Sequence, residues 1–325
     1  MSSSSLRFAI QFLLPLSLLI SNPVQALQVV TSIKPVQLLV AAISDGVTAP
    51  QLLIPGASSP HDFQLRPSER RELEQAQLIF WIGPQLEMSL TKVLQQLPPS
   101  TQVVSLMASL PNSKESVHSD EYHDDEPHQD EQHEDERHHE GHNHGAHDKS
   151  HNDPHIWLDP GNAEILAHRI ETALSEIDPT NQARYQQNLQ GFISDLKAAD
   201  LQLEQQLSAV RQQGYFVFHD GYQGFEQHYR LNHLGAFTLS PERRPGARHL
   251  AEIRQQLEHQ RAVCVFSEPQ FSPALIDNLI DGTHARKGQL DPMATNVAVD
   301  AQGYVNLLRQ LGQSFTECLS QPAAK

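Results

Sequence analysis

The sequence predicts an α/β protein of two lobes, each a mainly parallel sheet flanked by helices, joined by a long helix. Three observations carry that expectation. From Leu27 short β-branched and aromatic runs alternate with stretches of helical period, the pattern of parallel strands with crossover helices. The same alternation restarts at Tyr215. Between the two lies a stretch of about thirty residues whose apolar positions recur at three- and four-residue spacing.

In the first lobe, residues 27–178, the runs LQVVTSI, QLLIP, LIFWI and VVSL read as strands, with KPVQLLVAAISDG and PSERRELEQAQ as helices between them. After Leu106 the pattern stops and an acidic, histidine-rich tract occupies residues 113–151. No Val, Ile, Leu or Phe occurs from Glu121 to His155. Such a segment cannot bury enough apolar surface to offset the entropy of ordering it, so a disordered loop is expected. Order resumes at PHIWLDP, followed by a helix from Asn162 to Ile177.

The long helix is expected over 179–213, opening at Pro179 and closing at Gly214. Leu189, Ile193, Leu196, Leu203, Leu207 and Val210 form its apolar stripe. Thirty residues of helix are roughly 45 Å long, long enough to join two lobes. Gly191 leaves open a second reading, two helices broken at that residue. The second lobe, 214–325, repeats the first lobe's grammar. YFVFH, LGAFTLS, VCVFSEP and KGQLDP are its strands. Its helices run through GFEQHYR, EIRQQLEHQR, SPALIDNLI and VNLLRQLGQSFTECL. Two open parallel sheets facing one another leave a cleft at their strand ends, where such sheets bind ligands.

The first residues set the compartment. Arg7 precedes the apolar run FAIQFLLPLSLLI, which is too short and interrupted to span a bilayer, and the stretch exits through VQA. Residues 1–26 are read as a secretory signal cut after about Ala26, which places the mature chain in an exported compartment. A lipid anchor would require a cysteine at the cut, and the first cysteine is Cys264. In an oxidising compartment Cys264 and Cys318 are expected to pair, closing a loop that would stabilise the fold by about 4 kcal/mol in the chain-entropy treatment. Two unpaired buried thiols are the alternative. The formal net charge is -16. Residues 113–151 alone hold thirteen acidic and three basic side chains, a net of -10, and nucleic acid is not an expected partner.

Apart from the ten histidines between His118 and His151, three others stand at expected strand ends or helix entries. His61 follows QLLIP, His155 lies where the chain re-enters the first lobe, and His219 closes YFVFH. Asp291 closes KGQLDP. Four potential ligands thus come from four separate segments. Imidazole nitrogens suit zinc better than manganese, which prefers oxygen donors. His168, His228, His233, His249, His259 and His284 are read as ordinary histidines.

SSPHDFQLRPSE, the acidic histidine insertion, DPHIWLDP, GYFVFHDGYQGFE, CVFSEPQFSP and LDPMATN, in that order, resemble the zinc-specific periplasmic solute-binding proteins of ABC importers, the ZnuA type. The resemblance spans nearly the whole mature chain. It implies that the long helix is rigid, that a zinc ion sits in the interlobe cleft, and that a membrane permease of an ABC zinc importer receives it from a monomeric carrier. It also implies that His61, His155 and His219 are the imidazole ligands and that Cys264 and Cys318 are the disulfide pair of some members. One position departs: some members carry Glu before the first histidine, and here Pro60 stands there. The fourth ligand is left as Asp291 or a water.

The tract is expected to bind several ions weakly, since each must order a disordered chain. Protonation of imidazoles should weaken tight binding as pH falls through about 6 to 5. Three imidazoles with an open position also describe a zinc hydrolase. However, the HExxH pattern is missing: HEDERH is one residue too long, and no GxSxG elbow occurs. The chain is therefore read as no enzyme. A metal-dependent adhesin or a zinc buffer would share the same cleft.

Overall fold

The computed structural model describes residues 27–111, 153–238, 245–259, 262–272 and 274–320. The expected leader, 1–26, and the acidic tract, 113–151, lie outside them.

The first half opens with β1 (Val29–Thr31), all of it buried, and α1 (Lys34–Ile43), where Pro35 sits in the first turn and needs no backbone donor. Then come β2 (Gln51–Leu52), α2 (Pro67–Gln75), β3 (Leu78–Trp81), the single turn α3 (Thr91–Leu94) and β4 (Gln102–Ser105). At the start of α2, Glu69 accepts a hydrogen bond from the Arg66 backbone at 2.6 Å, satisfying a donor the helix cannot. The second half holds β5 (Tyr215–His219), α6 (Gln223–Tyr229), β6 (His233–Thr238), α7 (Ala247–Glu258), β7 (Cys264–Ser267), α8 (Ala274–Ile280), β8 (Arg286–Gln289) and α9 (Gly303–Ser320). All strand pairs are parallel, and the two sheets share one topology, β2-β1-β3-β4 and β6-β5-β7-β8.

Between the halves run α4 (Pro160–Ile177) and α5 (Gln182–Ser208). The helix α5 is unbroken over 27 residues. Gly191 does not interrupt it because that position is exposed and nothing packs on it. Tyr185, Leu189, Phe192, Leu196, Ala199, Leu203 and Leu207 form its buried face, so Phe192 and Ala199 take the part the sequence reading gave to Ile193. The last helix, α9, packs against α5, α1 and β8. At Gly312 a Cβ would lie 2.2 Å from Leu203 Cδ2, so any larger residue at the crossing of α9 over α5 would have to displace the end of that leucine. One apolar cluster consequently runs through both halves, from Leu38 of α1 through Leu203 of α5 and Phe315 of α9 to Tyr215 and Phe266 on the inner face of the second sheet. The outer face of that sheet has its own smaller cluster, Phe216 and Val265 with Ile253 and Leu257 of α7. A disulfide joins Cys264 in β7 to Cys318 in α9, 54 residues apart in the chain.

In the first sheet, the step between β1 and β3 is closed by a buried carboxyl. Glu87 is fully buried and accepts hydrogen bonds from the Ser32 hydroxyl and from the backbone of Gly83 at 3.0 Å and Ile82 at 3.3 Å. Burial outweighs these bonds and pushes its pKa up from 4.5 to about 7. The native chain then holds this proton more tightly than the unfolded chain. Its contribution to stability is complete below pH 4.5 and is lost as pH rises through about 7. Unfolding free energies from urea titrations across that window should fall by roughly 3 kcal/mol from this group, and Glu87→Gln should flatten the fall. An equal slope in the variant would assign the effect elsewhere.

Candidate metal centre

The second sheet delivers His219 to its C-terminal edge, since all five residues of β5 are buried and the histidine is the last of them. In the order β6-β5-β7-β8, the step from β5 to β7 is where successive connections leave in opposite directions, the crevice where open parallel sheets take ligands. Register then supplies a neighbour. Val217 pairs with Phe266, so His219 and Glu268, each two residues further on, emerge side by side. Glu268 Oε1 is 2.6 Å from His219 Nδ1, and both side chains are buried.

His155 comes from the other side, at the head of the short 3-10 turn Ile156–Leu158. Asp153 folds over it: its Oδ1 accepts from the His155 backbone at 3.0 Å and lies 2.7 Å from Nδ1 of the ring. The segment is pinned to the second half by Trp157, which is buried and donates from Nε1 to Pro292 O at 2.9 Å, and by Tyr304, whose hydroxyl donates to Trp157 O at 2.6 Å. Asp159 then caps α4 by accepting from Gly161 N at 2.7 Å. His61 arrives on the loop after β2, where its backbone donates to Ser59 Oγ at 3.3 Å.

These three imidazoles meet. Nε2 of His155 lies 3.2 Å from Nε2 of His61 and 3.1 Å from Nε2 of His219, and the three donor atoms all fall within 4.8 Å of one another. A carboxylate oxygen at Nδ1 of His155 and of His219 favours the tautomer protonated there, which offers Nε2 as a lone-pair donor. Lone pairs at that separation repel unless a cation lies between them. A tetrahedral ion with nitrogen bonds of about 2.0–2.1 Å sets its donors about 3.3–3.4 Å apart, so the two pairs that share His155 already stand within a few tenths of an ångström of the spacing zinc requires.

The electrostatics agree with that reading. Burial would lower the pKa of His219, but Glu268, with Asp153 and Asp220 behind it, raises it. Burial would raise Asp153, and its bonds to His155 bring it below the ordinary value. Each carboxylate oxygen stands against Nδ1 of its ring and strengthens the ring's far nitrogen as a donor. Pro60, Phe271, Pro292 and Met293 wall the pocket with apolar surface.

Asp291 is not brought into this cluster. Its Oδ2 accepts from Thr295 N at 2.6 Å, and its Oδ1 faces Thr295 Oγ1 at 3.1 Å and Gln270 Nε2 at 3.2 Å. Three of the histidines read as ordinary have other partners: His228 is 2.8 Å from Asp200, His233 is 3.1 Å from Glu226, and His249 is 2.8 Å from Ala236 O. Sequence reasoning passed over Asp153 and Glu268. A signal existed for both: an acid two residues before a histidine across a proline, and an acid ending VCVFSE at the same level as the histidine ending YFVFH.

Two parallel-sheet halves on one long helix, with a ligand-lined junction between them, are the architecture of the two-lobed solute-binding proteins. The chain belongs to the ZnuA family: the model of that family, described as the periplasmic component A of a zinc-uptake complex, matches residues 29–318. A "high-affinity zinc uptake system protein ZnuA" of Yersinia pestis is 39% identical over 312 residues, covering 95% of this chain and 97% of the relative. Its namesake in Haemophilus ducreyi is 41% identical over 308 residues, covering 95% and 98%. The fold matches that of the periplasmic zinc binding protein TroA from Treponema pallidum with a TM-score of 0.74 at 18% identity, over 91% of this chain and all of that one.

Proposed function

We propose that this protein captures a single zinc ion in the cleft between its halves and passes it to the membrane permease of an ABC importer. The reading rests above all on the convergence of three Nε2 atoms from segments far apart in the chain, two of them with Nδ1 already committed to a carboxylate. His61, His155 and His219 are the protein ligands. A solvent molecule is the fourth donor, because both oxygens of Asp291 are engaged by Thr295 and Gln270. An all-nitrogen protein shell without a carboxylate favours zinc over manganese.

On this reading residues 27–178 and 214–325 are the two lobes, and 179–213 the connection that limits their movement. The chain acts in the periplasm as a monomer after cleavage near Ala26, and it carries its ion without transforming it. Capture brings the ion onto the three imidazoles, where Phe271 and Met293 shield it.

The test is metal content by mass spectrometry on two proteins, both lacking residues 113–151: one otherwise unchanged and one with His61, His155 and His219 all replaced by alanine. The first should retain one zinc per chain after dialysis against a weak chelator and the second none. Equal retention would refute the ligand assignment, and retention of manganese in preference to zinc would refute the choice of ion.

A further inference from the structure

Gln270 stands between the metal pocket and the seam joining the two halves. Its Nε2 donates toward Gly56 O at 3.0 Å, in the loop that leads to His61, and toward Asp291 Oδ1 and Thr295 Oγ1 at 3.2 Å each. Thr295 reinforces the seam: its hydroxyl lies 3.2 Å from Gly56 O, and its carbonyl accepts from Lys34 Nζ at 3.1 Å. Gly56 packs against it at ordinary contact distance, a Cβ there lying 3.5 Å from Thr295 Cα and 3.6 Å from Met293 O.

Three acceptors around Nε2 fix which end of the carboxamide is nitrogen. The oxygen end is thereby turned away from the seam. Oε1 is buried and has no hydrogen-bond partner among the described residues, and Gln270 lines the same pocket as the three imidazoles. A buried amide oxygen without a donor is costly, and such a group calls for an explanation. Water bound to a divalent ion is a stronger donor than bulk water, because the ion withdraws charge from it.

Resting on the zinc-binding reading above, we propose that Gln270 is a positioning residue that couples occupancy of the site to the seam. Its Oε1 accepts a hydrogen bond from the solvent molecule completing the ion's shell, while its Nε2 holds the His61 loop against the second half. Accepting at oxygen polarises the amide and strengthens donation at nitrogen. An ion in the cleft thus tightens the bonds to Gly56 and Asp291, and its departure loosens the loop that carries one of its own ligands. Asp291 serves as the anchor for this link.

The experiment compares the full-length wild type with Gln270→Leu, which lacks both ends, and Thr295→Val, which weakens the seam but keeps the acceptor. Zinc affinity of the tight site is read by chelator competition, and amide hydrogen exchange over residues 55–61 is followed with and without zinc. In the wild type zinc should slow exchange in that loop. Gln270→Leu should weaken the tight site by about 10- to 100-fold, the range for groups that orient a metal's ligands, and abolish the protection. Thr295→Val should speed exchange in the metal-free chain while leaving affinity within about threefold, well below that range. Wild-type affinity in Gln270→Leu, or an equal loss in Thr295→Val, would overturn the proposal. Gln270→Met, closer in shape, serves if the leucine variant does not fold. Failure of the unmodified chain to hold one tight zinc would instead sink the metal assignment, and it would show before Gln270 is altered.

Discussion

His155→Ala is expected to weaken zinc binding by two to three orders of magnitude while leaving the chain folded. Its Nε2 is the middle atom of the cluster, 3.2 Å from that of His61 and 3.1 Å from that of His219. Apparent binding free energies of zinc at sites with protein donors run to about 10–16 kcal/mol, or roughly 3–4 kcal/mol for each of four donors, and each 1.4 kcal/mol is about tenfold in affinity. Removing the ring also strands Asp153, which loses the bond at 2.7 Å that holds its pKa down. Competition with a chromophoric chelator gives the affinity, and thermal melting of the metal-free variant separates a lost ligand from a lost fold. A variant that binds zinc as tightly as the wild type would remove His155 from the site.

The second large effect concerns stability. Reducing the Cys264–Cys318 bridge, or replacing both cysteines by serine, should cost about 4 kcal/mol, the chain-entropy value for a loop of this separation. The bridge ties β7 to the last turns of α9, and Arg286 in β8 donates to the Cys318 carbonyl beside it. Loss of the tie therefore acts on the strand whose end presents Glu268 to His219. Denaturant titration with and without reductant measures it. A difference below about 1 kcal/mol, far under that value, would show that packing of Phe315 and Cys318 already holds the helix in place.

Much of this was legible in the chain. Strand and helix alternation marked both halves because parallel strands buried on both faces read as unbroken apolar runs, as in YFVFH and LIFW. The three histidines stood out because each sits at the end of such a run or at the entry of a helix. What stayed hidden depends on geometry between segments. Whether Glu268 lies beside His219 is a matter of register between β5 and β7, which no single stretch encodes. The sequence leaves Asp291 or a water as the fourth ligand, and that Thr295 and Gln270, four and twenty-one residues away, engage its oxygens is a matter of folded geometry. Gly191 kept a broken helix open as a second reading only because its exposure on α5 depends on the fold.

The apolar cluster that passes from α1 through α5 and α9 into the second sheet has a thermodynamic consequence. Halves that shared only a flexible tether would melt separately, each with its own enthalpy. Here neither sheet can shed its inner face without exposing side chains that belong to the other. Heating should therefore give one calorimetric peak whose van't Hoff and measured enthalpies agree, and zinc should shift that peak as a whole to higher temperature.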